Sequence, residues 1–253
     1  MTAVNDPVPD PGAPEQRIVK PPSMVDLAAR SVRQMILGGT LIPGERVVEN
    51  RLTAQLGISR PPLREALRML EHEGLIRQSQ HRGAVVTPLT LHDVYEIVTF
   101  RRELERMAVV LGVPVADTDR LQRCWTAIRR MEAAVDARDE AELSEANFDF
   151  HLAVVGLAGH RRLEASYRSL QLQMQLCMAL NRNARSRRKE SASANMLRHR
   201  KLLRIIEDGD PDAVLAELEH HGDRTFLADL PASLDNGSDQ AVAWLEKERA
   251  HPA

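Results

Sequence analysis

Aromatic residues make up only 3% of this 253-residue chain. Such a low content argues against aromatic cages, platforms for stacking single-stranded bases, and most β-sheet cores. The two cysteines, Cys124 and Cys177, lie far apart, which excludes a disulfide framework and a cysteine-based zinc ribbon and fits a reducing cytoplasm. No apolar run approaches the roughly 18 residues of a membrane span, and the first residues do not resemble a signal peptide. We therefore expect a cytoplasmic protein without a membrane partner.

Charge is distributed unevenly along the chain, although the net charge is only −2. Residues 23–88 carry nine arginines against six acidic residues, whereas the rest of the chain is acidic overall. A small basic module joined to a larger acidic one indicates a polyanionic partner for the basic module alone. The 43% of hydrophobic residues is typical of a soluble globular protein.

Proline content and periodicity divide the chain into five parts. Residues 1–22 hold six of the 14 prolines and are predicted to be disordered. Residues 23–88 contain short elements, 89–92 form a linker, and 93–230 show long helical periodicity. Residues 231–253 form a tail with room for one short helix, Ala241–Arg249.

The basic module has the pattern of a winged helix-turn-helix. One predicted helix ends at Gly57, and Ser59 offers an N-cap oxygen to the next, whose first turn contains Pro61 and Pro62. That helix has one apolar face, formed by Leu63, Ala66, Leu67 and Leu70. Two short strands around the turn at residues 79–83 complete the wing.

Three arginines follow one another on the opposite face of this third helix. Arg60, Arg64 and Arg68 are four residues apart, so they share one stripe. Arginine on a helix in the major groove can form paired hydrogen bonds to guanine, and Arg82 at the wing tip could reach the adjacent groove or backbone. An exposed arginine is more often merely solvated, so this pattern alone leaves both interpretations open.

The region 93–230 predicts an all-α antiparallel bundle of about six helices. Asn147 and His151 are four residues apart and share a helix face, while His199 and His221 flank the turn at Gly209 at nearly equal distances. Three imidazoles and one amide oxygen could therefore converge on a divalent transition metal. Taken singly, each histidine is more often a hydrogen-bonded interior or surface residue.

Longer runs of residues resemble a known family. The run Leu56–Leu67 and the segment Glu73–Ile76 resemble the winged helix of GntR-type transcription regulators. The segments Asn147–His151 and His199–Leu203, and the run from Asp210 to His221, resemble the FCD domain of the FadR branch of that family. The resemblance implies a mainly α fold, a winged helix-turn-helix followed by a helical ligand-binding domain.

The resemblance also implies roles for individual residues. Arg60 and Arg64 would read bases, and the other expected DNA contacts are Ser59, Pro62, Arg68, Arg82 and Gly83. The expected metal ligands are Asn147, His151, His199 and His221, with zinc the leading metal and nickel an alternative. Arg101 would hold the carboxylate of a small effector, with Asn195 in the same cavity. A homodimer on a palindromic double-stranded operator is the expected assembly.

Among the positions that depart from the family pattern, two bear directly on the expected site residues. Asn147 stands where aspartate is common, so the metal would keep more of its charge, with weaker retention and a stronger attraction for an anion. Asn50 stands where this branch can carry another DNA-reading arginine, and that role is not transferred to it.

The leading hypothesis is an effector-responsive transcription regulator, a repressor, and not an enzyme. One alternative keeps the DNA-binding module and makes the bundle a metal-free dimerisation scaffold. Another is a metallo-hydrolase, because three histidines with an open coordination position can activate water. Asp149 is a poor general base for that chemistry, since it lies two residues from His151 and faces away from it.

Overall fold

A computed structural model describes residues 21–80, 83–187, 191–221, 227, 230, 234 and 238–250, without the side chains at 178, 181–187 and 220. The predicted disordered segment, apart from its last two residues, and Arg82 at the wing lie outside these residues. The mainly α fold class is confirmed: helices dominate the described chain, and one two-stranded sheet accompanies them. The helices are α1 Met24–Leu37, α2 Glu49–Leu56, α3 Arg60–His72, α4 Leu91–Gly112, α5 Thr118–Ala137, α6 Glu140–Gly156, α7 Arg161–Ser169, α8 Gln171–Arg187, α9 Ala192–Asp208, α10 Pro211–His220 and α11 Asp239–Ala250.

Helices α1 to α3 and a β-hairpin form the N-terminal module. The strands β1 Ile76–Ser79 and β2 Gly83–Val86 pair antiparallel, with Ile76 opposite Val86. The segment before α2 joins the edge of this hairpin, because Arg46 bridges to Val85 and the backbone N–H of Val47 donates to the carbonyl of Ala84 at 2.8 Å. Strand β2 is therefore held on both sides by backbone hydrogen bonds.

Helix α3 follows the sequence pattern, with one correction at its N-terminus. Its four predicted apolar residues are all buried, while Ser59 occupies the N-cap position without a side-chain capping bond. The expected cap fails because Ser59 would accept from the N–H of the second or third helical residue, and these are Pro61 and Pro62, which have none.

The C-terminal bundle contains seven described helices, α4 to α10, instead of about six. The additional boundary is at Leu170, which separates α7 from α8 without a glycine or proline to mark it. Helix α4 is central, since it contacts α6, α7, α8 and α10, and α5 packs against α6 and α9. The predicted tail helix is present as α11, which packs on α4.

The two modules share one apolar core at their junction. Thr90 caps α4 and forms a reciprocal capping box with Asp93, so the helix begins two residues before the predicted boundary at 93. Leu89 and Leu91 are buried in a cluster that joins α1 residues such as Ile36 to bundle residues. Helix α1 also contacts α6 and α8 directly. The predicted linker is thus part of the packed interior.

The backbone at the end of α4 lies very close to the backbone that follows α6. A methyl group added at Gly112 would lie 2.6 Å from the backbone N of Ala158 and the carbonyl carbon of Leu157. A Gly→Ala substitution at an open helical position stabilises the folded protein by about 1 kcal/mol. Here we expect Gly112→Ala to lower the free energy of unfolding, measured with urea, by about 1–3 kcal/mol, because neither backbone atom can move freely.

The substitution Leu197→Ala on α9 is the control, because that side chain is 57% exposed and lies away from the approach at Gly112. It should change the unfolding free energy by no more than about 0.5 kcal/mol. A Gly112→Ala protein as stable as the wild type would contradict the close approach.

Candidate DNA-binding surface and metal centre

The outer face of α3 carries the three predicted arginines, all of them exposed. Nη2 of Arg60 donates to Oδ1 of Asn50 at 3.1 Å, and Nε of Arg64 donates to Glu49 at 3.0 Å. Arg68 instead pairs with Glu65 on its own helix at 2.9 Å. The first turn of α2 therefore orients the two guanidinium groups that the family resemblance assigns to base reading.

These contacts orient the arginines without burying them. The Arg64 side chain is 59% exposed, and an ion pair in water contributes little, so DNA can replace Glu49 at small cost. Sequence reasoning did not anticipate the roles of Glu49 and Asn50. These two contacts could have been expected from the three-residue turn 57–59, because it brings the start of α2 beside the start of α3.

Gly83 begins strand β2 at the described end of the wing. Its φ of +69° lies in the left-handed region, which favours glycine. Apart from its chain neighbours, no described heavy atom would lie within 4 Å of a Cβ atom placed there, and the residue is exposed. Pro62, another non-arginine position expected at the DNA surface, is half-buried in the first turn of α3.

Three buried histidines meet inside the bundle. His151 comes from α6, His199 from α9, and His221 is the C-cap residue of α10. One ring nitrogen from each lies within 4.8 Å of the others. The structure therefore brings together the three imidazoles that sequence spacing placed at nearly equal levels.

Hydrogen bonds orient two of these rings. Nδ1 of His151 lies 3.1 Å from Oε1 of Glu105, and Nδ1 of His199 lies 2.8 Å from the backbone oxygen of Asn195. Because both oxygens are acceptors, each Nδ1 carries the proton and each Nε2 keeps a lone pair. The two Nε2 atoms are 3.2 Å apart, so both lone pairs face a common point.

The remaining two residues of the set also face this point. Neither ring nitrogen of His221 has a hydrogen-bond partner among the described residues, although both are buried. The side-chain amide nitrogen of Asn147 lies 3.1 Å from Nε2 of His199. Buried imidazole nitrogens without partners are costly unless something binds them. This donor set fits a divalent transition metal.

Burial keeps the rings in the form that binds metals. Desolvation is the main cause that lowers the pKa of His199 and His221 well below the ordinary histidine value, and the neighbouring histidines lower it further. For Glu105, burial acts to raise the pKa. The charge of Arg101 and the hydrogen bonds from His151 and Tyr167 outweigh it, and the pKa of that carboxyl is held well below its usual range. The site thus combines neutral rings at His199 and His221 with one ionised carboxylate.

Arg101 and Asn195 both lie at this site, and each contacts one of the histidine rings directly. Nε of Arg101 donates to Glu105 at 2.9 Å, and its Nη2 lies 3.1 Å from Nε2 of His151. Arg101 and Glu105, four residues apart on α4, thus form a buried salt bridge. Asn195 acts through its backbone oxygen, while its side-chain oxygen accepts from Arg198 at 3.4 Å.

Glu105 is the main residue that sequence reasoning left without a role in the site. Its carboxylate binds Arg101 and His151 and accepts the hydroxyl of Tyr167 at 2.7 Å. The available signal was an acidic residue among the buried apolar residues of α4, next to Leu104. Acidic residues are rarely fully buried unless paired, so its position on that face indicated a partner.

Comparisons with known proteins agree with this architecture. Residues 25–86 match the family model described as bacterial regulatory proteins, gntR family, and residues 96–224 match the FCD domain. Among the described helices, none has the length and apolar character needed to cross a membrane.

The relatives are transcription regulators. An uncharacterized HTH-type transcriptional regulator, YdhC, of Bacillus subtilis is 31% identical over 75% of this chain and 85% of its own length. The gluconate operon transcriptional repressor of Bacillus licheniformis is 29% identical over 77% of this chain and 80% of its own. A putative GntR regulator from Rhodococcus sp. RHA1 has the same fold, with a TM-score of 0.60 and 23% identity over 82% of this chain and 98% of its own.

The family assignment favours a regulator over the metallo-hydrolase considered from the histidines alone. The chain belongs to the GntR family of bacterial transcriptional regulators, in the branch with a C-terminal FCD domain.

Proposed function

We propose that this protein is a dimeric repressor that binds a palindromic operator and responds to a small carboxylate at a metal site. Residues 23–88 bind DNA and residues 93–230 bind the effector and the partner subunit. The observation that carries the proposal is the pairing of an arginine-bearing α3 surface with a buried three-histidine cluster in one chain. Two relatives are named as repressors, of a gluconate operon and probably of a D-xylose utilization operon, which supports repression. Acting on chromosomal DNA places the protein in the cytoplasm.

Base reading falls to Arg60 and Arg64, which lie near the N-terminus of α3 and point to solvent. Asn50 and Glu49 hold the guanidinium groups in place before DNA arrives, which reduces the loss of side-chain entropy on binding. Arg68 lies further along the helix and is suited to a phosphate contact. Arg82 and Gly83 would contact DNA at the wing.

We expect Arg60→Ala combined with Arg64→Ala to weaken binding to the operator at least about thirtyfold, because each paired contact to guanine contributes about 1–3 kcal/mol. The measurement is fluorescence anisotropy with the promoter beside the protein's own gene, at several salt concentrations. Arg200→Ala is the matched control, since Arg200 is 41% exposed and also paired with a glutamate, but lies on α9. Equal affinities of the double variant and the wild type would refute the assignment.

The metal centre is supported by the convergence of His151, His199 and His221 and by the unpartnered nitrogens of His221. Asn147 is the fourth candidate ligand, with its side-chain amide turned so that Oδ1 faces the ion in place of Nδ2, which lies 3.1 Å from Nε2 of His199. All four are neutral, so a bound divalent ion keeps its full charge and attracts a carboxylate when it is held there. Zinc suits such a site, and nickel is the alternative.

After purification with zinc or nickel supplied, we expect about one metal ion per subunit by elemental analysis. His199→Ala should lose it, because one of three imidazole ligands is removed. His160→Ala is the control, since His160 caps α7 and is exposed. A stoichiometry near zero in the wild type would instead support the metal-free scaffold.

Dimerisation is supported by an exposed apolar face on α4. Phe100, Met107, Val110 and Leu111 are all exposed and lie at spacings of seven, three and one residues. A contiguous exposed apolar face usually marks an interaction site, and a homodimer contact places the same patch on both subunits. We assign this face of α4 to the contact between two copies.

Val110→Glu should convert the dimer to a monomer in light scattering at micromolar concentration, because two carboxylates would be buried near the two-fold axis. Leu197→Glu is the control, since Leu197 is 57% exposed, similar to Val110, but lies on α9. A Val110→Glu protein that remains dimeric would place the interface elsewhere.

A further inference from the structure

A pocket of about 630 Å³ lies at the start of α4. Its floor is the face of α4 from His92 to Phe100, about 12 Å long. Leu170 and Gln173, where α8 begins, and Gln240, in the first turn of α11, also line it. The lining contains no residue of the histidine cluster, and the volume suits a small organic molecule.

Aromatic side chains are concentrated at this pocket. Tyr95 and Phe100 line it, and Trp244 of α11 packs edge-on against Tyr95, with 5.4 Å between the ring centroids. These are three of the eight phenylalanine, tyrosine and tryptophan residues in the chain, although the low content argued against such a grouping. Aromatic rings attract cations and pack against apolar groups. The pocket therefore offers an apolar surface that also favours positive charge.

The charge at the pocket is negative. Glu96 is in the lining, and no lysine or arginine accompanies it among the described lining residues. Nε2 of His92 lies 3.3 Å from the Glu96 carboxylate, and Nδ1 of the same ring lies 2.8 Å from the hydroxyl of Ser238. A neutral ring satisfies both contacts, since Nε2–H donates to the carboxylate and Nδ1 accepts from the hydroxyl. Glu96 therefore brings a negative charge that no described lysine or arginine in the lining offsets.

Two of the helices that begin at the pocket have N-termini that the chain itself caps. Thr90 and Asp93 form the capping box of α4, and the hydroxyl oxygen of Ser238 accepts from the backbone N–H of Ala241 in α11 at 3.2 Å. Asp93 and Asp239 also place a negative charge in each of these first turns. The positive ends of the two helices are thus already compensated, and they do not favour an anion in the pocket.

We propose that this pocket binds a small organic cation, an ammonium group carried on an aromatic or alkyl body. Nε2 of Gln240 donates to the hydroxyl of Tyr95 at 2.7 Å, so Oε1 of Gln240 is left to accept from the ammonium together with the carboxylate of Glu96. The body of the ligand packs against Phe100 and Leu170, which line the same pocket. This site does not depend on the metal centre or on DNA binding.

Phe100 also belongs to the apolar face of α4 that the proposed function assigns to the contact between two copies. The other residues of that face begin at Met107, seven residues further along the helix, which is about 10 Å away. The pocket thus lies at the edge of that contact, and its occupant is a small cation and not the second copy.

Two probes of similar size and different charge test the proposal, 2-phenylethylamine and 2-phenylethanol. Their affinities for the wild type are measured by ligand-observed NMR titration at pH 7 and constant ionic strength. The amine should bind at least about fivefold more tightly than the alcohol, because only the amine carries a charge for Glu96 and the rings to attract.

Two variants locate the binding. Glu96→Gln should lower the affinity of the amine to that of the alcohol, and Gln173→Trp should remove the binding of both probes, since the indole would fill the pocket from an exposed position. Glu65→Gln is the matched control, because Glu65 is 54% exposed and paired but lies on α3. Its affinity for the amine should stay within about twofold of the wild type.

Four outcomes would overturn the proposal. They are no binding of the amine up to about 10 mM, equal affinities of the amine and the alcohol, a preference for the amine that Glu96→Gln leaves unchanged, and amine binding that Gln173→Trp leaves unchanged. Amine that binds a monomer, obtained by dilution or with Val110→Glu, but not the dimer would show that the second copy occupies the pocket, and it would overturn the proposal as well.

Discussion

The buried imidazole nitrogens impose the main constraint on this protein. Three rings from three helices are placed where water does not reach, and the two nitrogens of His221 have no acceptor or donor among the described residues. Such groups cost free energy unless a partner binds them at their common point. The hydrogen bonds to Glu105 and to the backbone oxygen of Asn195 serve the same arrangement, because they turn the Nε2 lone pairs of His151 and His199 toward that point.

From this site, packing continues to the DNA-binding module. Glu105 binds the hydroxyl of Tyr167, whose ring stacks on Phe148 at 5.6 Å between centroids. Both rings belong to the apolar cluster that includes Ile36 of α1, and α1 packs against α3. A ligand can shift this assembly only if it binds two arrangements of it with different affinity. The continuous core gives such a difference a structural route to the arginine surface.

Local patterns predicted those parts of the structure that depend on a single helix. The apolar face of α3, its arginine stripe and the shared face of Asn147 and His151 follow from helical spacing. Features set by contacts between distant segments were not predictable in this way. The break at Leu170 has no glycine or proline, and Glu105 meets His151 and Tyr167 only after the three helices α4, α6 and α7 have packed.

The paired prolines at the start of α3 also affect how the helix meets a ligand. Pro61 and Pro62 restrict two backbone torsions that an ordinary helix terminus samples freely, so this turn is already ordered in the free protein. They also remove two of the amide hydrogens that a helix terminus normally offers to an anion. The terminus is thus rigid but has few backbone donors. Any hydrogen bond to a sugar-phosphate chain there depends on side chains, including the hydroxyl of Ser59, which makes no capping hydrogen bond.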